Sequence, residues 1–507
     1  MTAARATGAP FHAARATRLR RPIDWPVTLC AYASVAALFF ISNLMMASLG
    51  LAYETAGGAQ WEKIAPATYF AFAGLFALIA TRPNLAAFAD EIVRRHKGLI
   101  VFFICWAGLF AYIVKFHGSP LTATFDTFLL PMALFLILPR TPGKAQRRMA
   151  LFLHAFMALN ALIGLAEFAI GFRLTPIMAQ GIEITSDYRS SALLGHPLNN
   201  AAMAACYGLI LMLGGGRDLS PGWRTAALLL QLPALAVFGG RFATVAFLGF
   251  AAVIAGKRAL DIFAGRRFST SAAAAMLIIV PVIVVGTILL VTGGFLDKFL
   301  MRFVEDDGSA ASRLIMFELI GKIPFTDLLV GANPDVVSSL QRTEGIAFGI
   351  ESFWVAFIAY YGILISVPFF VGLIAFLVGL ARQCAPKSGW AILLFILICS
   401  TSASLSGKST SFGQFTAMLM LLMRPLPLLP KQGTGECHPV PILATISAAR
   451  DRLAPRPRRY SYITEGDNAT ANRAGCHRHR GRAGHRRGHR AAVGRRRGQR
   501  ADRRHRP

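Results

Sequence analysis

Three arginines stand beside small or polar residues at the ends of apolar segments. Arg189 lies in the stretch SDYRSSALLGHPLNN, Arg241 lies in GGRFAT, and Arg313 follows a serine in a long mixed segment. The guanidinium group is a planar fork of N–H donors that matches the oxygens of phosphate. The three arginines together therefore predict a site for an anionic ligand.

A simpler explanation exists for each of these residues taken alone. An arginine at the end of a membrane span commonly extends its side chain to the lipid headgroups. His196 precedes Pro197, where a histidine can cap a helix, and Glu167 could pair with a nearby arginine as a structural lock. The grouping of three arginines on one face favours a ligand site, and the structural roles stay open at this stage.

The cysteines give no sign of a metal centre or a disulfide framework. The chain has seven of them, and no two form a CxxC pair. None falls in a segment assigned to the outer side of the membrane, where disulfides form. We therefore expect no metal, no cofactor and no disulfide.

The elements that must position these side chains are membrane helices. Of the 507 residues, 55% are hydrophobic and 15% charged, and the mean hydropathy is +0.51, more apolar than a soluble protein of this length. A helix needs about 20 apolar residues to cross a bilayer. Such runs lie near 27–50, 64–80, 98–116, 121–138, 149–171, 197–214, 224–238, 242–256, 271–292, 351–380, 389–405 and 410–424. The predicted fold class is an all-α polytopic membrane protein with about 12 transmembrane helices and one long outer loop. The first run is too long for a cleavable signal peptide and should remain as the first helix.

Basic residues indicate the orientation of these helices. If the N-terminus is inside, the inner segments before the tail carry 20 Lys and Arg residues, among them Arg94, Arg95 and Lys97. The short outer segments carry five, which are Lys63, Arg173, Arg189, Arg241 and Lys408. Because basic loops face the cytoplasm, both termini are predicted to be cytoplasmic and the three candidate arginines to face out.

The chain divides accordingly into five parts. They are a basic cytoplasmic N-terminus (1–26), transmembrane helices 1–9 (27–292), a long outer, periplasmic loop (293–350), transmembrane helices 10–12 (351–424) and a basic tail (425–507). Within the long loop, Ser312–Ile323 has apolar residues near helical spacing. This helix could lie on the membrane surface or pack on the bundle, and both interpretations stay open.

The end of the chain has an unusual composition. Residues 473–507 contain 14 Arg, 6 Gly and 5 His, with Val493 as the one aliphatic residue larger than alanine. Such a segment cannot bury a core, so we predict that it is disordered. It could be a basic arm on anionic lipid, a non-specific nucleic-acid binder, or a translation artefact of GC-rich DNA read in a wrong frame. We assign it no function and no specific nucleic-acid partner.

Four stretches resemble, in order and spacing, the signatures of the O-antigen ligase and Wzy polymerase superfamily. Residues 186–201 resemble its Arg-x-x-Gly-x-x-x-x-Pro-Asn signature, and 239–243 resemble its Ser-Arg-Gly motif. Segment 312–331 resembles its Arg-x-x-x-Trp … Leu-x-Gly-x-Gly stretch, and 351–364 its His-Asn-x-Tyr-Leu … Gly-x-x-Gly stretch. The overall appearance is most similar to the VpsF-like exopolysaccharide polymerases.

The resemblance implies a metal-independent glycosyltransferase of the bacterial inner membrane. It would join undecaprenyl-diphosphate-linked oligosaccharide repeats into exopolysaccharide or O-antigen on the periplasmic side. The family's arginines hold the donor diphosphate, and the matching residues here are Arg189, Arg241 and Arg313. Glu351 stands where ligases carry a histidine, which favours a polymerase, and Glu351 and His196 are the candidate catalytic residues. The implied partners are the lipid-linked oligosaccharide, the bilayer, and proteins of polysaccharide chain-length control and export.

Two further classes of protein remain as alternatives to a polymerase or a ligase. A flippase or transporter of the same lipid-linked sugar would show internal repeats and broken helices near the middle of the membrane, and the sequence reveals neither clearly. A structural subunit of the export machine would tolerate loss of the three arginines.

Overall fold

The structure is a computed structural model that describes residues 25–54, 57–116, 121–176, 178–179, 182–183, 189–265, 309–345, 349–402 and 404–425. Within these ranges the regular structure is helical, apart from the antiparallel pair β1 (Met178–Ala179) and β2 (Ile182–Glu183). The predicted span near 271–292, the N-terminal residues 1–24 and the tail after 425 lie outside the described residues.

The helices follow one another through short connections. The first half of the chain forms α1 (Trp25–Phe40), α2 (Asn43–Ser48), α3 (Pro66–Ala80), α4 (Leu85–Arg95), α5 (Lys97–Phe116), α6 (Thr122–Arg140) and α7 (Gly143–Ile170). The second half forms α8 (Pro197–Met212), α9 (Pro221–Phe238), α10 (Arg241–Phe263), α11 (Ser309–Lys322), α12 (Phe325–Val330), α13 (Pro334–Thr343), α14 (Phe353–Gln383), α15 (Ser388–Cys399) and α16 (Ser411–Leu422). A 3-10 turn, Gln60–Lys63, precedes α3, and α6 contains a π-helical turn, Phe125–Leu129.

Several of these helices have the length and apolarity of membrane spans. In the described part of the chain these are α5, α6, α7, α14 and the Arg241–Asp261 part of α10, five in all. The pair α3 and α4 makes a sixth if the two form one span bent by 120°. Helices α1, α15 and α16 are apolar but shorter, with 16, 12 and 12 residues. The prediction of an all-helical, multi-pass membrane protein is confirmed, whereas the count of about 12 spans is not confirmed by the described residues.

The first predicted span, 27–50, divides into two helices. Helix α1 ends at Phe40, and the Ser42 hydroxyl accepts a hydrogen bond from Met45 N at 3.2 Å to begin α2. A serine at this position satisfies one of the amides that the start of a helix leaves unpaired. It therefore separates two apolar helices that form one continuous run in the sequence.

Helix α16 lies at the centre of the bundle, and all 12 of its residues are buried. It packs against α6, α7 and α8, and Phe415 stacks on Phe395 of α15 with ring centroids 4.2 Å apart. Gln414 donates to the carbonyl oxygen of Leu38 in α1 at 2.9 Å. In a membrane, where lipid is as apolar as the helices, close packing and interhelical hydrogen bonds of this kind hold a bundle together.

Helix α14 is broken at Gly362. This residue has φ +73° and ψ 167°, a backbone conformation that glycine adopts readily and other residues rarely do. The chain after α12 fills the break, where Ala332 N donates to the carbonyl oxygen of Ala359 at 3.1 Å. A methyl group on Gly362 would lie 2.3 Å from Gly331 N. The break is therefore stabilised by a close backbone approach between two glycines that are distant in sequence.

Part of the segment 293–350, predicted as a long loop, is a helix that packs on the bundle. Met316 and Leu319 of α11 are buried in one apolar cluster with Val355 and Ala359 of α14. Of the two interpretations of this segment, packing on the protein is the one that the structure supports.

Candidate functional site

The loop 189–196 carries Arg189 and His196 and lies across the end of α9. Ser190 N donates to the carbonyl oxygen of Val237 at 3.1 Å, and the Ser190 hydroxyl donates to Gly164 O of α7 at 2.7 Å. Arg189 is half-buried. The backbone at Arg189 therefore lies beside the end of α9, just before the second predicted motif, Gly239-Gly240-Arg241.

Glu167, near the end of α7, determines the conformation of this loop. Its Oε2 accepts hydrogen bonds from the backbone amides of Ser191 and Ala192, each at 2.9 Å, and its Oε1 accepts one from Leu174 N at 2.8 Å. These three bonds join the end of α7 to the loop and to Leu174, which follows the helix. Glu167 therefore acts as a structural lock, but the hydrogen bonds that it accepts come from backbone amides, whereas the sequence suggested an arginine as its partner.

Two asparagines complete the support of the loop. Asn160 Oδ1 accepts from Leu193 N at 3.0 Å, and its amide nitrogen donates to Asn200 Oδ1 at 2.8 Å. Asn200 in turn donates to Ser191 O at 2.5 Å. Both asparagines are fully buried. Because buried amides that lose a partner are costly, this network holds the loop in one conformation.

Arg241 begins α10 at the same corner of the bundle. The turn before it packs tightly on α8, since a methyl group on Gly240 would lie 2.4 Å from the Cβ of Ala201. Gly239 ends α9 with φ +67°, so the chain reverses direction in two residues. The turn thus brings Arg241 next to the start of α8, and the contact of Ser190 with Val237 brings the backbone of Arg189 to the same corner.

His196 and its neighbours connect this corner to α16. His196 is exposed and is the N-cap of α8, with its Nδ1 accepting from Leu198 N at 3.2 Å. Asn199 donates to Gln414 Oε1 at 3.0 Å and accepts from the Ser411 hydroxyl at 2.7 Å. His196 therefore caps the helix, as its position before Pro197 suggested, and its imidazole lies at the surface.

Glu351 lies just before the start of α14. It is exposed and lines a cavity of about 180 Å³ together with Tyr360, Ser406 and Gly407. The last two belong to the connection between α15 and α16, which ends at Ser411 beside Asn199. The arginine corner and the Glu351 cavity are thus linked through the start of α16.

Arg313 belongs to the first turns of α11, and its side chain lies outside the described residues. The helix that carries it packs on the first segment of α14, the segment that follows Glu351. The structure therefore brings Arg189 and Arg241 to one corner and α11 towards Glu351.

A second polar group, centred on Asp126, was not singled out as a site in the sequence. Asp126 is fully buried in the π-helical turn of α6 and accepts from the Tyr53 hydroxyl at 2.7 Å, the Thr68 hydroxyl at 2.6 Å and Ala65 N at 3.1 Å. Lys408 lies over the ring of Tyr53. The one signal in the sequence was an acidic residue inside an apolar run. Its hydrogen-bond partners come from two other segments of the chain.

Within the described residues, no group of three or more His, Cys, Asp or Glu side chains is arranged to hold a metal ion. The polar groups of this end of the bundle instead offer cations, hydroxyls and amides, which suit an anionic or hydroxyl-rich ligand.

No protein-family model, curated protein or solved structure matches the chain.

Proposed function

We propose that this protein is a polymerase that joins undecaprenyl-diphosphate-linked oligosaccharide repeats into a surface polysaccharide. The observation that carries the proposal is the corner formed by the loop 189–196 and the Gly239-Gly240-Arg241 turn. Two half-buried arginines leave this corner. Arg189 starts from a loop that Glu167, Asn160 and Asn200 hold in one conformation, and Arg241 follows a turn that packs closely on α8. Fixed cations at the end of a membrane bundle suit the diphosphate of a lipid-linked donor, because they need no rearrangement when its charge grows.

In the proposed reaction an acceptor hydroxyl attacks the anomeric carbon of the donor sugar. The new glycosidic bond forms while the bond from that carbon to the diphosphate oxygen breaks, and the lipid diphosphate leaves with the electron pair. Arg189 and Arg241 stabilise the negative charge on the leaving diphosphate. The hydroxyl proton passes to a general base, for which Glu351 is the candidate, with Arg313 and His196 as further members of the site.

The proposal includes a location and a topology. The chain would cross the bacterial inner membrane about 12 times, with both termini in the cytoplasm and the arginine corner on the periplasmic side. Its partners would be the lipid-linked oligosaccharide and the proteins that control chain length and export.

The test is a deletion strain whose lipid-linked sugars and polysaccharide length are analysed. A polymerase deletion accumulates single lipid-linked repeats on the outer face and makes no long polymer. A ligase deletion still makes polymer, which stays on its lipid carrier. Unchanged polymer and unchanged lipid-linked intermediates would refute both.

A flippase for the same lipid-linked sugar is the second candidate, and the break in α14 favours it. Broken helices are common at the binding sites of transporters. In addition, a cavity of about 470 Å³ opens at the opposite end of the bundle, lined in part by Arg217, Asp218 and Arg424. A flippase deletion accumulates the repeats on the inner face, so the same strain separates the two candidates.

A further inference from the structure

Lys408 is a further cation at the same end of the bundle, and its surroundings are fixed by hydrogen bonds to other elements. It is half-buried in the connection between α15 and α16, and its Nζ donates to the carbonyl oxygen of Tyr53 at 2.6 Å. The same nitrogen lies 3.5 Å from the centre of the Tyr53 ring. Among the described residues it forms no ion pair. An ammonium group has three donors, and the carbonyl oxygen and the ring face of Tyr53 do not use all of them.

Asp126 fixes the position of Lys408 indirectly, through the tyrosine on which the lysine packs. The Asp126 carboxylate binds the Tyr53 hydroxyl at 2.7 Å, and Tyr53 is buried, so the ring under the ammonium cannot turn freely. From the other side, the hydroxyl of Thr127 donates to Gly407 O at 3.1 Å and accepts from Ser409 N at 3.2 Å. Both neighbours of Lys408 are therefore bonded to α6, and the lysine projects from a rigid frame.

The frame holds Lys408 between the two parts of the candidate site. Gly407 lines the Glu351 cavity. On its other side, Ser409 shares a hydrogen bond of 2.7 Å with Ser411, whose hydroxyl donates to Asn199 beside the arginine corner. A ligand that extends from the arginine corner to the Glu351 cavity would pass the connection that carries Lys408.

Burial lowers the pKa of Lys408 to about 8. Three charged groups face Lys408: Asp126 and Glu54 raise its pKa, and Lys63 lowers it further. Burial and Asp126 raise the pKa of Tyr53, so its hydroxyl stays protonated and can donate. The ammonium is therefore mostly charged at neutral pH and loses its proton as the pH rises through about 8. A half-buried cation that forms no ion pair among the described residues gains stability from an anionic ligand.

We propose that Lys408, held over Tyr53 by the Asp126 frame, is a further cation that binds the diphosphate of the lipid-linked donor. The inference rests on the proposed function, because it takes the donor class from there. It assigns Lys408 a binding role and Asp126 a positioning role.

The test measures binding of undecaprenyl diphosphate to the purified full chain in nanodiscs of zwitterionic lipid, with undecaprenol as the uncharged reference. Lys408→Met removes the charge and keeps the packing on Tyr53, and we expect affinity to fall by roughly tenfold or more, as for loss of a charged hydrogen bond. Lys408→Arg should retain binding. Lys115→Met is the matched control, since Lys115 also lies over an aromatic ring, that of Phe116, 5.2 Å from its centre; its affinity should not change.

The pH dependence gives a readout that a purely structural lysine would not produce. Wild-type affinity should weaken between about pH 7 and about pH 9, whereas Lys408→Arg should stay constant because arginine remains charged. A pH-independent wild type, or unchanged affinity of Lys408→Met, would overturn the role of Lys408. If the wild type binds the diphosphate no better than undecaprenol, the proposed function itself fails, and the two failures are thereby distinguished.

Discussion

Glu167 is the residue on which the conformation of the arginine-bearing loop depends most. Its carboxylate accepts three backbone hydrogen bonds, two of them from consecutive residues of the loop. A glutamine has one acceptor oxygen and turns an NH₂ group towards amides that also donate. The residue therefore supports the site without needing to touch a ligand.

Glu167→Gln should destabilise the loop by about 3 kcal/mol, because a buried charged acceptor is lost and backbone amides remain unpaired. Hydrogen exchange at the amides of Ser191 and Ala192 should accelerate accordingly. Glu318→Gln, on the exposed side of α11, is the control and should leave these amides unaffected. Unchanged protection in Glu167→Gln would contradict the lock.

The arginine corner makes a prediction about side-chain shape as well as charge. If Arg189 and Arg241 bind diphosphate through the guanidinium fork, replacement by Lys should reduce polymer about as strongly as replacement by Ala, by roughly tenfold or more. An arginine that merely reaches the headgroups would tolerate Lys, which extends to the interface equally well. Polymer length and amount in complemented deletion strains decide between them.

Arg94→Ala is the control for that experiment. Arg94 is exposed and paired with Asp90 at 2.7 Å within α4, and such a pair contributes little. Its loss should leave polymer unchanged at equal protein level. Full activity of the Ala variants at 189, 241 and 313 would end the catalytic interpretation.

At the scale of the elements, the break in α14 depends on the absence of a side chain. A methyl group on Gly362 would lie 2.5 Å from Leu329 O in addition to its clash with Gly331 N, and the residue's φ is positive. We expect Gly362→Ala to cost at least about 3 kcal/mol, from strain and overpacking together. Thermal unfolding in detergent or nanodiscs measures this loss.

The same helix offers the matched control. Gly379 is helical, and a methyl group there would meet nothing within 4 Å. Gly379→Ala should be neutral or stabilise by up to about 1 kcal/mol, since alanine favours the helix. Equal effects of the two substitutions would mean that α14 does not depend on the glycine contact.

This break also marks where prediction from the sequence ended. The length of the run 351–380 indicates a surface helix plus a span, and the structure has a division within it. The run contains Gly372 and Gly379 as well, however, and nothing local distinguishes Gly362 from them. What distinguishes Gly362 is its contact with Gly331, which lies in the connection after α12. A contact between two distant segments leaves no periodic pattern in the sequence, so it could not be predicted.

The candidate site divides in the same way. Polar motifs at the ends of apolar runs identified the loop 189–196 and the Gly239-Gly240-Arg241 turn, because turn residues and capping residues are visible locally. The partners of Glu167 are backbone amides, which any sequence supplies, so its role could not be read from side-chain types. Asp126 was visible as a polar residue in an apolar run, but Tyr53 and Lys408 join it only through the tertiary fold.

At the scale of the whole molecule, the topology predicts which positions a membrane-impermeant thiol reagent reaches. A cysteine at Asp335, exposed in the first turn of α13, should be labelled from outside intact cells, whereas cysteines at Lys144 and Arg266 should not. The five described native cysteines are free thiols, so the unsubstituted chain gives the background. Labelling of position 144 from outside would invert the assignment; Arg266 lies outside the described residues.

The basic tail is predicted to be dispensable for polymer synthesis. All residues of the candidate site precede residue 425, and the segment after Arg473 has almost no apolar content. Truncation after Leu429 should therefore leave polymer synthesis intact. Loss of polymer in a truncated chain that is present at normal level would show that the basic tail has a role.

The 120° bend between α3 and α4 bears on how the protein responds to the thickness of its bilayer. Helix α4 turns away from the direction of α3, ends in Arg94 and Arg95, and is attached by Phe88, over which Arg82 and Arg140 each lie at 5.3 Å. A helix that ends in basic residues and bends away from a span suits the membrane interface, and we expect α4 to fix the depth of the bundle in the bilayer at that face. In thinner or thicker lipid the spans must then tilt to remove the hydrophobic mismatch. We expect the opposite end of the bundle, where the arginine corner lies, to take up most of that displacement.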